Sequence, residues 1–234
     1  TYPSISDNPQ YADIMVSPKA KVESTQSTLI EDFESNSLGS DWTVNRFGTG
    51  TYQPFQGTYI ATENTTGGTD PKLATYSPTE LDGGKKISKL TYYWRESSNS
   101  SGGGMRIMDS SGNTIGAFLS DNPQWVVQIG QDSTKDSSFD VLDERTNSNY
   151  NVWIEVTLEF DYSNNQITYT GKDMSTGNST TATYTSVNSL NDVRSFDFMM
   201  FAYDGSIADH YATEYSGGFD FTFDMSFDKF SYTG

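Results

Sequence analysis

Residues 154–161 read Ile154-Glu155-Val156-Thr157-Leu158-Glu159-Phe160-Asp161, a strict alternation of apolar and polar side chains. Because successive side chains of a β-strand point to opposite faces, this alternation predicts a strand with one face on a core and the other in water. Residues 219–228 repeat the pattern, with Phe and Met alternating with Asp, Thr and Ser. We therefore expect a core built from half-buried strands.

The rest of the chain contains further short segments of this kind, separated by breaks rich in glycine and asparagine. About a dozen strands are predicted, over residues 29–34, 42–47, 58–62, 87–96, 105–109, 114–119, 125–129, 139–143, 152–161, 166–171, 180–185, 196–203 and 219–232. The run Gly102-Gly103-Gly104 is interpreted as a hairpin tip. No long segment keeps the helical period, so the predicted fold is all-β: a two-sheet antiparallel β-sandwich of the jelly-roll kind.

The composition agrees with a single β domain. A chain of 234 residues is long enough to bury a core without disulfides, and it contains no cysteine. Aromatic residues make up 14% of the chain, with 14 Phe, 15 Tyr and 4 Trp, which favours strands. Trp94, Trp125 and Trp153 are expected to lie in the core or to pack between sheets.

The first part of the chain differs from the rest. Residues 1–28 show no sustained period and contain Pro3, Pro9 and Pro18, which predicts an extended arm or linker. The jelly-roll domain is then expected over residues 29–234.

The surface is strongly acidic, with 31 acidic against 14 basic residues and a net charge of −17. Such a charge repels a phosphate backbone and argues against a nucleic-acid partner. No apolar run approaches the ~20 residues of a membrane span, so membrane insertion is not expected. The acidity has two compatible interpretations: adaptation to concentrated salt, or aspartates recruited for calcium.

Three segments carry a resemblance to a known superfamily. Residues 29–34, Leu-Ile-Glu-Asp-Phe-Glu, with the nearby Trp42 resemble the opening strand of concanavalin A-like lectins, glucanases and carbohydrate-binding jelly rolls. Residues 151–169 look like the laminin-G-type hairpin, with a tryptophan strand, an aspartate turn and a returning strand. Phe227-Asp228-Lys229-Phe230 resembles the last strand. The resemblance spans roughly residues 29–234 and implies a fold more than a function.

The resemblance also implies a calcium site. That superfamily commonly carries a structural Ca²⁺ where its first and last strands lie side by side. Glu34 and Asp228 match the acidic positions that supply ligands, with Asp32 as a third. Hard carboxylate oxygens suit calcium. The alternative is that these acids continue the solvated face of an acidic protein.

One segment raises the question of catalysis. Glu155-Val156-Thr157-Leu158-Glu159 resembles the E-x-D-x-E strand of laminarinase-like retaining glucanases, but Thr157 stands where that family has the aspartate that orients the nucleophile. The alternative is the solvated face of an outer strand, and we expect no enzyme. With no cysteine and His210 as the only histidine, a Cys-His pair or a histidine-rich zinc site is also excluded.

The segment 203–218 is the candidate binding loop, because long loops on rigid β scaffolds often carry recognition. Tyrosine rings can stack on a pyranose while carboxylates accept hydrogen bonds from its hydroxyls. The predicted ligand-binding residues are Tyr203, Asp204, Asp209, His210, Tyr211 and Tyr215. The alternative is that Tyr203 and Tyr211 cover the edge of the core.

These features predict an extracellular carbohydrate-binding or adhesion domain, located outside the cell or on a virion surface. Its expected partner is a glycan or a glycosylated host-surface receptor, met by the exposed part of a viral fibre, a spike or a cell-surface protein. One alternative is a structural or decorating protein that docks on neighbouring subunits through residues 1–28. The other is a laminarinase-like glycoside hydrolase.

Overall fold

The computed structural model of the chain describes residues 28–31, 39–44, 48–50, 59–61, 72–96, 101–121, 124–131, 136–144, 152–202 and 225–233. The strands are β1 (Thr28–Glu31), β2 (Trp42–Val44), β3 (Gly48–Gly50), β4 (Tyr59–Ala61), β5 (Lys72–Tyr76), β6 (Lys89–Glu96), β7 (Ser101–Asp109), β8 (Thr114–Asp121), β9 (Gln124–Gln128), β10 (Phe139–Glu144), β11 (Ile154–Asp161), β12 (Gln166–Asp173), β13 (Ser179–Thr185), β14 (Val193–Ala202) and β15 (Met225–Thr233). A four-residue helix, α1 (Thr79–Asp82), follows β5.

The strands form two antiparallel sheets. Sheet A has the order β13-β12-β11-β6-β15-β4-β3, and β1 also pairs with β15. Sheet B has the order β10-β9-β8-β7-β14-β5-β2. Strands distant in sequence are neighbours in both sheets, and the first described strand lies beside the last, with Thr28 opposite Tyr232. The prediction of an all-β two-sheet sandwich is confirmed.

The core lies between the sheets. On β11 the apolar residues Ile154, Val156, Leu158 and Phe160 are buried, while the alternate residues are partly or fully exposed, as the alternation predicted. The largest fully buried side chains are aromatic: Trp94, Trp125, Tyr92, Tyr169, Tyr232, Phe118, Phe196 and Phe198. The prediction that Trp94, Trp125 and Trp153 are packing residues is confirmed, since all three are buried.

Two glycines let the sheets interlock. Gly171 of β12 faces the ring of Trp125 from β9, and Gly116 of β8 faces the hydroxyl end of Tyr169 from β12. At each position a β-carbon would collide with the aromatic side chain of the opposite sheet. The small residue on one sheet therefore makes room for the large residue on the other, which produces the close packing typical of protein interiors.

The interpretation of Gly102-Gly103-Gly104 as a hairpin tip is wrong. These residues lie inside β7, and Gly103 and Gly104 are buried. Gly104 has a φ of 142°, and a β-carbon there would collide with the backbone carbonyl oxygen of Phe118 on β8. The glycines thus allow two neighbouring backbones to approach closely, which is the second common reason for glycine within a strand.

Aspartates cap three of the tight hairpins. Asp109, Asp161 and Asp173 each accept backbone N–H bonds from residues two to four positions further along, at 2.8–3.1 Å. The hydrogen bonds from Asn164 and Ser163 lower the pKa of Asp161 below its ordinary value. Burial alone would raise the pKa of Asp109, but the hydrogen bonds that it accepts outweigh burial and lower this pKa too. Part of the acidic composition therefore stabilises turns.

Candidate functional site

The residues predicted to bind ligand lie outside the described residues; they are Tyr203, Asp204, Asp209, His210, Tyr211 and Tyr215. The same is true of Glu34 and Asp32, and of the arm predicted over residues 1–28 apart from Thr28. Asp228 lies on β15 opposite Tyr93 of β6, although its side chain is outside the described set. Among the described residues, no group of three or more His, Asp or Glu is placed to hold a metal ion. These predictions therefore stay predictions.

A row of hydroxyl side chains crosses the outer face of sheet A. Register places residues from five strands side by side: Thr181 of β13, Thr170 of β12, Thr157 of β11, Thr91 of β6 and Ser231 of β15. All are at least partly exposed. We call this line of residues the hydroxyl row. It is a polar, uncharged strip that runs perpendicular to the strands.

The hydroxyl row is held by hydrogen bonds between neighbouring strands. The hydroxyls of Thr170 and Thr181 lie 2.9 Å apart, and those of Thr91 and Thr157 lie 3.5 Å apart. A parallel pair, Thr168 and Thr183, is joined at 2.8 Å. Because threonine has few side-chain rotamers and the two pairs between β12 and β13 are at short hydrogen-bond distance, the hydroxyls on these two strands are held in place.

An aromatic and charged group borders one side of the hydroxyl row. Tyr93 of β6, Glu155 of β11 and Lys172 of β12 lie opposite one another in register, and the Tyr93 hydroxyl donates a hydrogen bond to the Glu155 carboxylate. Trp153 packs beside Tyr93, and the Arg95 guanidinium lies 5.7 Å from the Trp153 ring centroid. All three side chains, Tyr93, Glu155 and Lys172, are half-buried. Part of each side chain is therefore accessible to solvent, and the rest packs against the protein.

The opposite border carries the second glutamate of the glucanase-like motif. Glu159 forms an ion pair with Lys89 at 3.7 Å, with both side chains exposed. Glu155 and Glu159 are about 13 Å apart at their Cα atoms along the strand, with Thr157 between them joined to Thr91. The two glutamates of the E-x-D-x-E motif have this same spacing, and side chains that lean toward each other can bring their carboxyls to the about 5 Å that a retaining glycosidase needs. Glu155 accepts a hydrogen bond from Tyr93 and Glu159 is paired with Lys89, while Thr157 stands where the motif has its aspartate.

Sheet B has a polar cluster on the face that points away from the core. Arg106 and Asp197 form a buried ion pair at 3.3 Å, and Thr75 donates a hydrogen bond to Asp197 at 2.7 Å. Beside them lies a small apolar cluster, which consists of Ala117, Leu119, Val126 and Met199. Arg106, Asp197 and the four apolar side chains are buried and are not available to a ligand.

Comparison with known proteins gives the fold and little more. No protein-family model and no curated protein sequence matches the chain. Among solved structures, the one described as HCR/D-Sa-GBL1/C is similar with a TM-score of 0.52 at 11% identity, over 88% of this chain. This chain spans only 48% of that structure's length. At such identity, the likeness shows the fold alone.

Lectins and a carbohydrate-binding module are also among the similar structures. The CBM2 module of the evolved Dit of Lactobacillus casei BL23 phage J-1 has a TM-score of 0.47 at 10% identity, over 88% of this chain and 95% of that one. Lectin I of Ulex europaeus has a TM-score of 0.47 at 13% identity, over 89% and 97% of the two chains. One enzyme, the Crh5 transglycosylase, has a TM-score of 0.48 at 12% identity, over 87% and 82%. The two-sheet antiparallel sandwich that the sequence predicted is the fold of this chain.

Proposed function

We propose that this chain is a carbohydrate-binding domain and that it binds sugar on the outer face of sheet A, at Tyr93, Glu155, Lys172 and the adjoining hydroxyl row. The observation that carries the proposal is the half-buried, solvent-accessible pairing of Tyr93 with Glu155 beside hydrogen-bonded threonine hydroxyls. A pyranose has an apolar ring face and a rim of hydroxyls. An aromatic ring next to a carboxylate and several hydroxyls matches both.

Each member of the site has a separate role in this proposal. The Tyr93 ring offers a surface for the apolar face of the sugar. Glu155 accepts hydrogen bonds from sugar hydroxyls, and the Lys172 ammonium donates to them. Thr157 and Thr170 can both donate and accept. Since Tyr93 already bonds to Glu155, and the threonines are bonded in pairs, little side-chain entropy is lost on binding.

Binding measurements with point variants test the site. We expect a glycan array to give at least one ligand. Glu155→Gln and Tyr93→Phe should each lower the affinity for that ligand about tenfold or more, since each removes part of the charge-assisted hydrogen-bond network. Glu159→Gln is the matched control on the same strand and face, and it should bind as the wild type does. A blank array refutes carbohydrate binding, whereas a ligand unaffected by both variants refutes this site.

The finer part of the proposal is that the domain acts outside the cell, as the receptor-binding part of a viral fibre, a spike or a cell-surface protein. The strongly acidic composition, which suits concentrated salt or calcium, supports this setting. Within the residues that the structure describes, no helix has the length and apolar character of a membrane span. Residues 203–218 are proposed as a second contributor to glycan contact. Binding of the chain to intact and to deglycosylated host cells tests the proposed receptor.

A structural calcium ion is proposed at Glu34, Asp32 and Asp228. The pairing of β1 with β15 supports it, because β1 leads directly toward Asp32 and Glu34 while Asp228 lies on β15. Carboxylate oxygens are the ligands that calcium prefers. When bound, the ion would join the first and last strands and stabilise their pairing.

A further inference from the structure

β13 forms an exposed edge of sheet A. All of its seven residues, Ser179–Thr185, pair in continuous register with β12, and within the described part of the chain no strand lies beyond it. Four of them are exposed: Ser179, Thr181, Thr183 and Thr185. The other three are half-buried and face the interior, where Thr180 donates a hydrogen bond to Asp143 of β10 at 2.9 Å. Among the described strands, β13 is therefore hydrogen-bonded on one side and has no neighbour on the other.

The ends of the β12–β13 hairpin show which backbone groups point outward. The Asp173 N–H donates to the Asn178 carbonyl, and the Ser186 N–H donates to the Asn165 carbonyl, both at 2.9 Å. Bonded and non-bonded pairs alternate in an antiparallel ladder. Thr180, Ala182 and Tyr184 are therefore bonded to β12, and the four exposed residues direct their N–H and C=O groups to the open edge.

The threonine contacts support this assignment. Residues in non-bonded pairs lie closer together than those in bonded pairs. The two hydroxyl contacts between β12 and β13, Thr168 with Thr183 and Thr170 with Thr181, fall on the pairs assigned as non-bonded and are short, at 2.8 and 2.9 Å. The open edge thus carries a regular series of backbone donors and acceptors.

This edge lacks the features that usually prevent strand pairing. Natural edge strands are protected by charged side chains, proline, bulges or short length. β13 has no charge, no proline and no bulge over its seven residues. In a chain of net charge −17, a long uncharged edge is an unusual place for two copies to approach without opposing carboxylates.

We propose that β13 pairs antiparallel with β13 of a second copy of this chain, with Ala182 at the two-fold axis. This register sets Thr181 opposite Thr183 of the second copy and Ser179 opposite Thr185. Every outward-pointing N–H and C=O group of both strands then forms a hydrogen bond across the new strand pair. The new seam contains only Ser and Thr on its exposed face. The nearest acidic residues on that face among the described residues, Glu155, Glu159 and Asp161, lie on β11, two strands away from β13.

A second copy fits this edge better than an unrelated strand. Two copies of β13 have the same length, bring no charges together, and place Ser or Thr opposite Thr on the exposed face. The pairing makes one continuous sheet from the two copies of sheet A, and the row that contains Thr170 and Thr181 continues into Thr183 and Thr168 of the second copy. This inference does not depend on sugar binding. If the proposed glycan site is correct, the dimer presents two such sites on one face and gains avidity.

The oligomeric state of the full chain tests the proposal. Sedimentation equilibrium should give a dimer whose dissociation constant falls as salt is raised, because screening reduces repulsion between two acidic copies. Thr183→Pro removes an edge N–H that β12 does not use, so we expect the melting temperature to stay close to wild type and the dissociation constant to rise about 100-fold. Thr157→Val, on the same face but inside the sheet, is the matched control and should dimerise normally.

A cysteine variant tests the register. The chain has no cysteine, so Ala182→Cys introduces a single thiol, placed opposite its own copy in a non-bonded pair whose Cα atoms are about 4.5 Å apart, within disulfide range. We expect a disulfide-linked dimer on a non-reducing gel after mild oxidation. A monomer at every salt concentration, or a dimer that survives Thr183→Pro, overturns the proposed edge. A dimer in which Ala182→Cys does not cross-link overturns the register.

Discussion

Replacing Gly171 by alanine should destabilise the fold by about 2 kcal/mol. A β-carbon there would stand 2.5 Å from Cε3 of Trp125 and 3.0 Å from Cζ of Phe118, and both rings are buried. Overpacking costs about 1–3 kcal/mol, and the upper end applies because rigid rings, not flexible chain ends, are in the way. The better backbone propensity of alanine offsets up to about 1 kcal/mol.

Thermal unfolding followed by near-ultraviolet circular dichroism measures the effect. For a chain of this size, about 2 kcal/mol corresponds to a fall in Tm of roughly 4–8 °C. Gly39→Ala is the matched control, since a β-carbon at Gly39 would meet no atom within 4 Å and the backbone there is not left-handed. We expect its Tm to stay within about 2 °C of wild type.

A double-mutant cycle identifies the cause. Trp125→Phe removes the ring atoms that the new β-carbon meets, so the destabilisation caused by Gly171→Ala should shrink by at least about 1 kcal/mol in that background. Urea denaturation supplies the four free energies. Strict additivity of the two changes, or a Gly171→Ala variant as stable as Gly39→Ala, would show that the reasoning about the interlock is wrong.

Three further predictions concern the charged groups. Asp197→Ala leaves Arg106 buried without its carboxylate and should cost about 3–5 kcal/mol in urea denaturation; a loss under about 1 kcal/mol contradicts this. The pKa values of Asp109 and Asp161 are lowered by folding, so their stabilisation is complete above the ordinary aspartate pKa and is lost as pH falls through the folded values. The Tm difference between wild type and Asp161→Asn should therefore disappear in acid, and a constant difference down to the acid limit of folding refutes it. Chelation removes the proposed calcium ion, so it should lower the Tm of the wild type but not that of Asp228→Ala, and an unchanged wild-type Tm contradicts the calcium site.

The strands that the sequence predicted best are those with a clear two-residue period and a clear turn. The β11–β12 hairpin is an example: its alternation, and the turn at Asp161, are local properties of the chain. β5, Lys72–Tyr76, was not predicted, because its five residues show too little alternation by themselves. It is held by β2 and β14, and Trp42 packs against Tyr76 with ring centroids 5.0 Å apart. These partners are distant in sequence.

The glycines illustrate a second limit of prediction from the sequence. A run of three glycines usually marks a turn, and the sequence contains nothing at 102–104 that argues otherwise. The reason for glycine at Gly104 is the carbonyl oxygen of Phe118 on the neighbouring strand, which becomes visible only when β7 and β8 are paired. The same is true of Gly171, whose partner Trp125 lies on the opposite sheet.

The hydroxyl row depends on both local and distant information, which explains why the sequence alone did not indicate this face. The lengths of the turns after β11 and β12 fix the register of both hairpins, and that register puts Thr157 beside Thr170 and Thr170 beside Thr181. This part could have been obtained from the sequence by counting residues across each turn. The pairing of Thr157 with Thr91, and of Glu155 with Tyr93, depends on β6 joining β11 across more than fifty intervening residues. Since Tyr93 supplies the aromatic ring of the proposed site, the site itself exists only once that non-local pairing has formed.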